Sequence, residues 1–312
     1  MAFSAVAAYG GCVPGLYTPS ARLLRWYGRT ARPLPWRRTT DPYAILVSEM
    51  MAQQTQISRV LPAYLRFLQR FPTLAALSRA SLGDVLREWQ GLGYNRRARD
   101  LHRIARTHPA GLPRTLEALD ALPGVGAYTA GAIACFAHGD PVPFADTNIR
   151  RVLGRVFLGR IASEREAVAL DAEHISRRAP ARWHSALMDL GATICTVRTP
   201  KCERCPLVAN CLFRRAASGA GDRAAAPPAG DADDRPPRPA HASATTSAKR
   251  NSYAASDRRV RGRIIATLAT EPAGLTPAAL MRAVGDDRIA LLDALIAEGL
   301  VERHARRVRL PA

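Results

Sequence analysis

Along the first two thirds of the chain, apolar residues recur at spacings of three and four, and strict alternation is scarce. Pro42-Tyr43-Ala44-Ile45-Leu46-Val47-Ser48-Glu49-Met50-Met51 predicts an apolar helix opened by Asp41-Pro42. The same period predicts helices over 61–71, 81–90, 94–107, 148–158, 164–179 and 183–194. Ser81 with Asp84 three positions on is a capping signature, and Pro109 ends the 94–107 helix. Leu116–Leu122 reads as a short helix and Thr129–Ala137 as another, made of small residues. Between them lies Pro123-Gly124-Val125-Gly126, whose glycines permit positive φ and close approach of bare backbone. The start of the second helix leaves N–H groups without intrahelical partners, a place suited to a phosphate oxygen. Residues 20–210 are thus expected to be all-α.

From about 214 the apolar period disappears into Ala, Gly, Pro, Asp and Arg, which predicts a disordered linker over 214–256. Helical spacing returns at Val260, Ile264, Ile265 and Leu268, a second helix begins at Leu275-Thr276-Pro277, and a third covers 286–298. Residues 301–310 read as a short basic β-hairpin. Residues 257–312 are therefore either a small winged-helix-like unit or a helical appendage packed on the main domain. Residues 1–19 read as a loose tail, 20–194 as a helical core with its helix-hairpin-helix at 116–137, and 195–213 as a cysteine loop.

Charge narrows the class. The 312 residues carry 45 Lys and Arg, nearly all Arg, against 26 Asp and Glu, for a net charge of +19. Arginine offers a planar fork of donors to phosphate, so a polyanion is the first partner expected. No apolar run is long enough to span a membrane, and Met1–Thr18 lacks a basic leader, so the expected setting is cytosolic. Cys195, Cys202, Cys205 and Cys211 supply four thiolates in 17 residues. Four thiolates suit Zn²⁺ or a [4Fe–4S] cluster; a single Cys-x2-Cys knuckle in so compressed a spacing favours the cluster. Arg198, Lys201 and Arg204 stand in the same loop. Two acids attract notice. Glu49 is a lone carboxylate in an apolar helix, which predicts a buried, functional acid. Asp146, in Pro143-Phe144-Ala145-Asp146-Thr147-Asn148, is either a helix N-cap or a second functional carboxylate, or both. Two acids in unlike environments divide into proton donor and ionised partner, the division that glycosidic cleavage requires.

Taken together, these stretches resemble the iron–sulfur helix-hairpin-helix DNA glycosylases, and among them the MutY family of adenine DNA glycosylases. The resemblance runs over about residues 20–213. It is carried by Leu34-Pro35-Trp36-Arg37, Asp41-Pro42-Tyr43, Ser48-Glu49-Met50-Met51-Ala52-Gln53-Gln54-Thr55-Gln56, Gly91-Leu92-Gly93-Tyr94, Leu122-Pro123-Gly124-Val125-Gly126, Asp146-Thr147-Asn148 and the four cysteines. It implies a monomer acting on mispaired double-stranded DNA in the bacterial nucleoid, with a [4Fe–4S] cofactor. It casts Glu49 as the acid that protonates the flipped adenine and helps activate water, Asp146 as stabiliser or transient attacker of the cationic sugar, and Asn148 as orienter of the aspartate and the water. Gln54 and Tyr94 resemble wedges in the duplex, with Gln53, Leu122, Gly124, Val125, Gly126 and Arg37 as further DNA contacts. Tyr128 stands where lyase relatives carry a nucleophilic lysine, which implies base removal without strand cleavage. A thymine or uracil mismatch glycosylase is the rival enzyme, and a non-catalytic DNA-binding protein the rival outside enzymes. The chain departs from the family pattern at Asn95, where a second aromatic is usual, and at Thr147, where glycine is common. The usual Nudix-like C-terminal domain that reads 8-oxoguanine also has no counterpart in the short segment 257–312.

Overall fold

The computed structural model describes residues 18–217 and 256–312, so nearly all of the expected tail (1–19) and linker (214–256) lies outside the described residues. The chain begins with α1 (Pro19–Thr30), α2 (Pro42–Ala52), α3 (Ile57–Arg70), α4 (Leu74–Arg79), α5 (Leu82–Glu88) and α6 (Arg96–Thr107). It continues with α7 (Leu116–Asp120), α8 (Ala127–His138), α9 (Thr147–Phe157), α10 (Glu164–His174), α11 (Pro180–Thr193) and α12 (Leu212–Ala217). The last described stretch holds α13 (Asp257–Ala269), α14 (Pro277–Val284) and α15 (Ile289–Ala297), then an antiparallel hairpin, β1 (Glu302–His304) with β2 (Arg307–Arg309). The all-α expectation for 20–210 holds.

Local chemistry sets the boundaries. Asp41, Ser81, Thr115 and Thr276 cap their helices by accepting from backbone N–H groups, and Ser163 with Glu166 closes a full capping box on α10. The helix expected over 164–179 stops at His174. Pro180 opens α11 and forces Ala179 out of helical geometry (φ −149°, ψ 57°). The helix expected from 286 begins only at Ile289, because the Asp286 carboxylate binds the Arg288 N–H at 3.0 Å and holds a turn.

Two compact units emerge, one from residues 18–33 with 141–217 and the other from 34–140 with 256–312. In the first, α11 packs on α9 and α1 around Leu23, Leu153, Trp183, Leu187 and Leu190. Gly191 permits the crossing, since a Cβ there would stand 2.6 Å from Asn148 Cβ. In the second, α2 and α8 form the centre, and both are apolar on nearly every face, as a fully buried helix must be. Phe67, Trp89, Leu101 and Ile104 close the core around them.

Residues 257–312 belong to that same second core. Val260, Ile264, Ile265 and Leu268 of α13 are buried in one cluster with α2–α6, and Leu275 bridges to Val308 beside the hairpin. The Gly83 N–H donates to Pro311 O at 2.8 Å, where a Cβ on residue 83 would come within 2.7 Å of that oxygen. Glu298 accepts from Arg96 and Arg261, and hydrogen bonds from these two hold its carboxyl down at about 2 against the opposing effect of burial. A depressed carboxyl stabilises the fold above its unfolded pKa and ceases to do so as pH falls through the folded one. Glu298→Gln should therefore melt below wild type at pH 7, and the gap in melting temperature should close as pH is lowered from 4.5 toward about 2.

Candidate active site

Two stretches of the second unit gather expected site residues. The first is the end of α2. From Tyr43 to Met51 every residue is buried except Glu49, which is half-buried. The expectation of a buried glutamate is thus corrected: between Tyr43 and Met51, Glu49 is the one position that reaches solvent. Past the helix, Gln53 donates to Gly124 O at 3.3 Å, which ties this loop to the glycine hairpin. Gln54 is exposed and stands at φ 53°, a region that non-glycine residues rarely occupy.

The second stretch is the turn before α6. Tyr94 also has positive φ (49°) and lies outside the helix expected to start with it. What holds both strained residues is Arg97, which the sequence presents as one more cation of a basic helix. It is buried and donates to the carbonyls of Met50 (2.7 Å), Met51 (3.1 Å) and Gly93 (3.0 Å), to that of Gln53, and to Thr55 Oγ1 (3.2 Å). Burial pushes its guanidinium down to about 10. A detectable signal existed: Arg97 falls in phase with Leu101 and Ile104 on the apolar face of α6.

In the hairpin, Gly124 has φ 75°, and a Cβ there would meet Met50 Cε at 3.1 Å and Asp100 Cβ at 3.3 Å. Gly126 corrects the expectation of two positive-φ glycines. Its backbone is extended (φ −123°), and nothing lies within 4 Å of a Cβ built on it, so its bareness opens the start of α8. Gly126 gives α8 no side-chain cap, which leaves the first N–H groups available for an anion. Leu122 and Val125 are buried, and Tyr128 is half-buried in the first turn of α8. Arg37 is half-buried in the short 3₁₀ turn Pro35–Arg37.

The first unit holds the other expected acid. Asp146 is the N-cap of α9, accepting from Ile149 N at 2.7 Å and from Asn148 Nδ2 at 2.8 Å. Both readings of this aspartate are compatible with one geometry, because the cap leaves it only half-buried. The segment leading to it is stapled from behind: buried Asp171 accepts from Phe144 N (3.1 Å), Trp183 Nε1 (2.7 Å) and His184 Nε2 (2.7 Å), and the Phe144 ring stacks on His184. Asn148 in turn accepts from Arg151 at 2.8 Å, and Arg151 also donates to Gly191 O (2.8 Å) and Cys195 O (2.7 Å). One guanidinium thus links the aspartate's partner to the cysteine loop. A lysine cannot make these contacts at once. Arg151→Lys should cost about 2–4 kcal/mol of stability, read by thermal melting, because buried carbonyls lose charged donors.

The four cysteines line a single cavity with Val152, Val156, Leu190 and Phe213. Arg155, buried, donates to Cys195 Sγ at 3.5 Å and to the carbonyls of Thr196 and Val197 at 2.7 and 2.8 Å. Burial, and the neighbouring Cys195, Cys211 and Cys202, push the Cys205 thiol up to about 12. Four cysteine sulfurs around one cavity are a donor set that suits a [4Fe–4S] cluster, one thiolate to each iron, and equally a zinc ion.

The helix-hairpin-helix superfamily of base excision DNA repair proteins matches residues 47–177. The adenine DNA glycosylase of Mycobacterium tuberculosis is 42% identical over 294 residues, covering 90% of this chain and 89% of that one. Coverage of that extent reaches into residues 257–312. Among solved structures, a thermostable thymine-DNA glycosylase aligns with TM-score 0.57 and 28% identity over 63% of this chain and 95% of its own. An endonuclease III–DNA complex aligns with TM-score 0.56 at 21% identity, over 64% and 95%, a likeness of fold.

Proposed function

Because the chain belongs to the adenine DNA glycosylase family of the helix-hairpin-helix base excision repair superfamily, we propose that it releases adenine mispaired with 8-oxoguanine or guanine and leaves the strand intact. It is a DNA glycosylase of base excision repair, and DNA is its partner. The observation that carries the finer reading is Glu49, the single half-open position on an otherwise buried stretch of helix.

In this proposal the protonated Glu49 gives its proton to a ring nitrogen of the extruded adenine. The bond from the sugar to the base then breaks, and its electron pair leaves with the base. The cationic sugar that remains is stabilised by ionised Asp146, which Asn148 and the Ile149 N–H hold in place. Water adds to the sugar carbon, and its proton returns to the Glu49 carboxylate, which resets the acid. Tyr128 has no amine to form a Schiff base, so the reaction ends at an abasic site.

The rest of the reading follows the same residues. Gln54 and Tyr94, each in a strained backbone state, serve as wedges that fill the stack when the base leaves it. Gln53, Leu122, Gly124, Val125, Gly126 and Arg37 contact the DNA, with phosphate at the open start of α8. Cys195, Cys202, Cys205 and Cys211 hold a [4Fe–4S] cluster, which braces the loop that Arg151 and Arg155 grip. The enzyme works as a monomer in the bacterial cytoplasm; no described helix is long and apolar enough to cross a membrane. Residues 257–312 form a winged-helix-like unit, supported by the order of three helices and a hairpin joined by the Leu275–Val308 bridge.

Single-turnover base release decides between adenine and its rivals. A duplex series with A, T or U opposite 8-oxoguanine or guanine should lose adenine fastest, and strands should break only after alkali. Faster loss of thymine or uracil would transfer the chain to the mismatch glycosylases, and breaks without alkali would overturn the role given to Tyr128.

A further inference from the structure

Tyr94 does not stand alone. The Arg258 guanidinium, on α13, lies 4.2 Å from the centre of the Tyr94 ring and donates to its hydroxyl at 2.6 Å. Arg97 stands 5.3 Å from the same ring, so two cations hold it, one from the base of α6 and one from the C-terminal segment. These residues line a cleft of about 420 Å³ in the second unit, whose walls include Gln53, Gln54, Arg261 and Gly262. Arg258 is exposed at its rim. Gly262 has an open side: a Cβ built there meets nothing within 4 Å. Folding gives no reason for glycine in mid-helix, where alanine is favoured and here fits; a close approach by another molecule does.

We propose that α13 is part of the DNA-binding surface: Arg258 positions Tyr94 for insertion into the duplex, and the Arg258–Arg261 wall takes backbone phosphate of the strand opposite the excised base. The proposal rests on the reading of Tyr94 as a wedge. Its chemistry is that of arginine toward phosphate and toward aromatic faces, and the cleft presents both targets side by side. Arg261 is already bonded to Glu298, which fixes its direction and leaves its remaining donors for an anion. The glycine provides the clearance a sugar-phosphate backbone needs along the helix. Residues 257–312 then act in recognition as well as in packing.

The test uses full-length Arg258→Ala, Arg258→Lys, Gly262→Leu, Tyr94→Ala and the double variant Tyr94→Ala with Arg258→Ala. The probe is a duplex carrying a non-hydrolysable adenine analogue opposite 8-oxoguanine, with 2-aminopurine beside it to report unstacking. Arg258→Ala should weaken binding about tenfold and lower the salt slope by about one. It should also reduce unstacking, an effect absent once Tyr94 is alanine. Arg258→Lys should restore the salt slope but not the unstacking, and Gly262→Leu should weaken binding with an unchanged melting temperature. Wild-type affinity, slope and unstacking in Arg258→Ala, with Tyr94→Ala defective, would overturn this proposal alone. Normal unstacking by Tyr94→Ala would instead remove the wedge reading, and the positioning role with it.

Discussion

Glu49→Gln protein should bind mispaired duplex as wild type does and release adenine about a hundred- to ten-thousandfold more slowly, the range for a lost general acid. The substitution keeps size and shape at the one half-open position between Tyr43 and Met51, so the packing of α2 has no reason to change. What it removes is an ionisable proton. Asp146→Asn makes a matched companion. Asparagine caps a helix about as well as aspartate, so α9 should stay folded. Its single oxygen cannot accept from both Ile149 N and Asn148 Nδ2, and the negative charge proposed to stabilise the cationic sugar is lost. Glu49→Gln should melt within about a degree or two of wild type, and Asp146→Asn about 2–4 °C lower for the lost hydrogen bond. Single-turnover rates beside equilibrium binding settle the matter, since a Glu49→Gln enzyme with normal rates would move the acid elsewhere.

The largest effect on stability should come from Arg97→Met. The guanidinium satisfies carbonyls at the end of α2 and in the turn before α6, and methionine leaves those oxygens buried without donors. Each orphaned group costs about 1–3 kcal/mol, so a loss of about 3–5 kcal/mol is expected even with partial relaxation. Gln54 and Tyr94 occupy costly backbone states that only their surroundings enforce, and both should relax once the guanidinium is gone. Melting temperature and duplex unstacking should fall together. Arg97→Lys should recover little, since an ammonium cannot reach across the same span of carbonyls. A variant that melts like wild type would show that solvent reaches those oxygens.

How much of this was legible beforehand follows from what each feature depends on. The helices announce themselves because capping residues and apolar period are local: Asp41-Pro42, Ser81 and Thr276-Pro277 each mark a true start. The cysteine loop is visible for the same reason. Of the buried cations, Arg97 alone shows a signal, its phase with Leu101 and Ile104, and that signal does not say what the guanidinium binds. Arg97, Arg151 and Arg155 otherwise look like neighbours of Arg96, Arg150 and Arg99 in a basic chain, and only the carbonyls that converge on them reveal their role. Glu49 was misjudged in the opposite direction. An apolar helix implies a buried acid, yet which of its faces lies open is decided by α3, α6 and α8, elements distant in sequence or turned away from it. Gly126 shows the same limit, because a glycine kept for clearance and one kept for positive φ look identical in sequence.

The seam at Gly83 and Pro311 bears on covalent continuity. The last residues of the chain are held by a backbone hydrogen bond at the start of α5, by Glu298 and its arginines, and by an apolar face on α13 buried within the second core. Attachment of that kind does not depend on the peptide bonds between residues 217 and 256. A chain nicked there should stay together as a two-piece protein, and the separate pieces should reassemble by fragment complementation at a rate set by their concentrations. The tether's thermodynamic part is then to raise the effective concentration of the final segment near its seat.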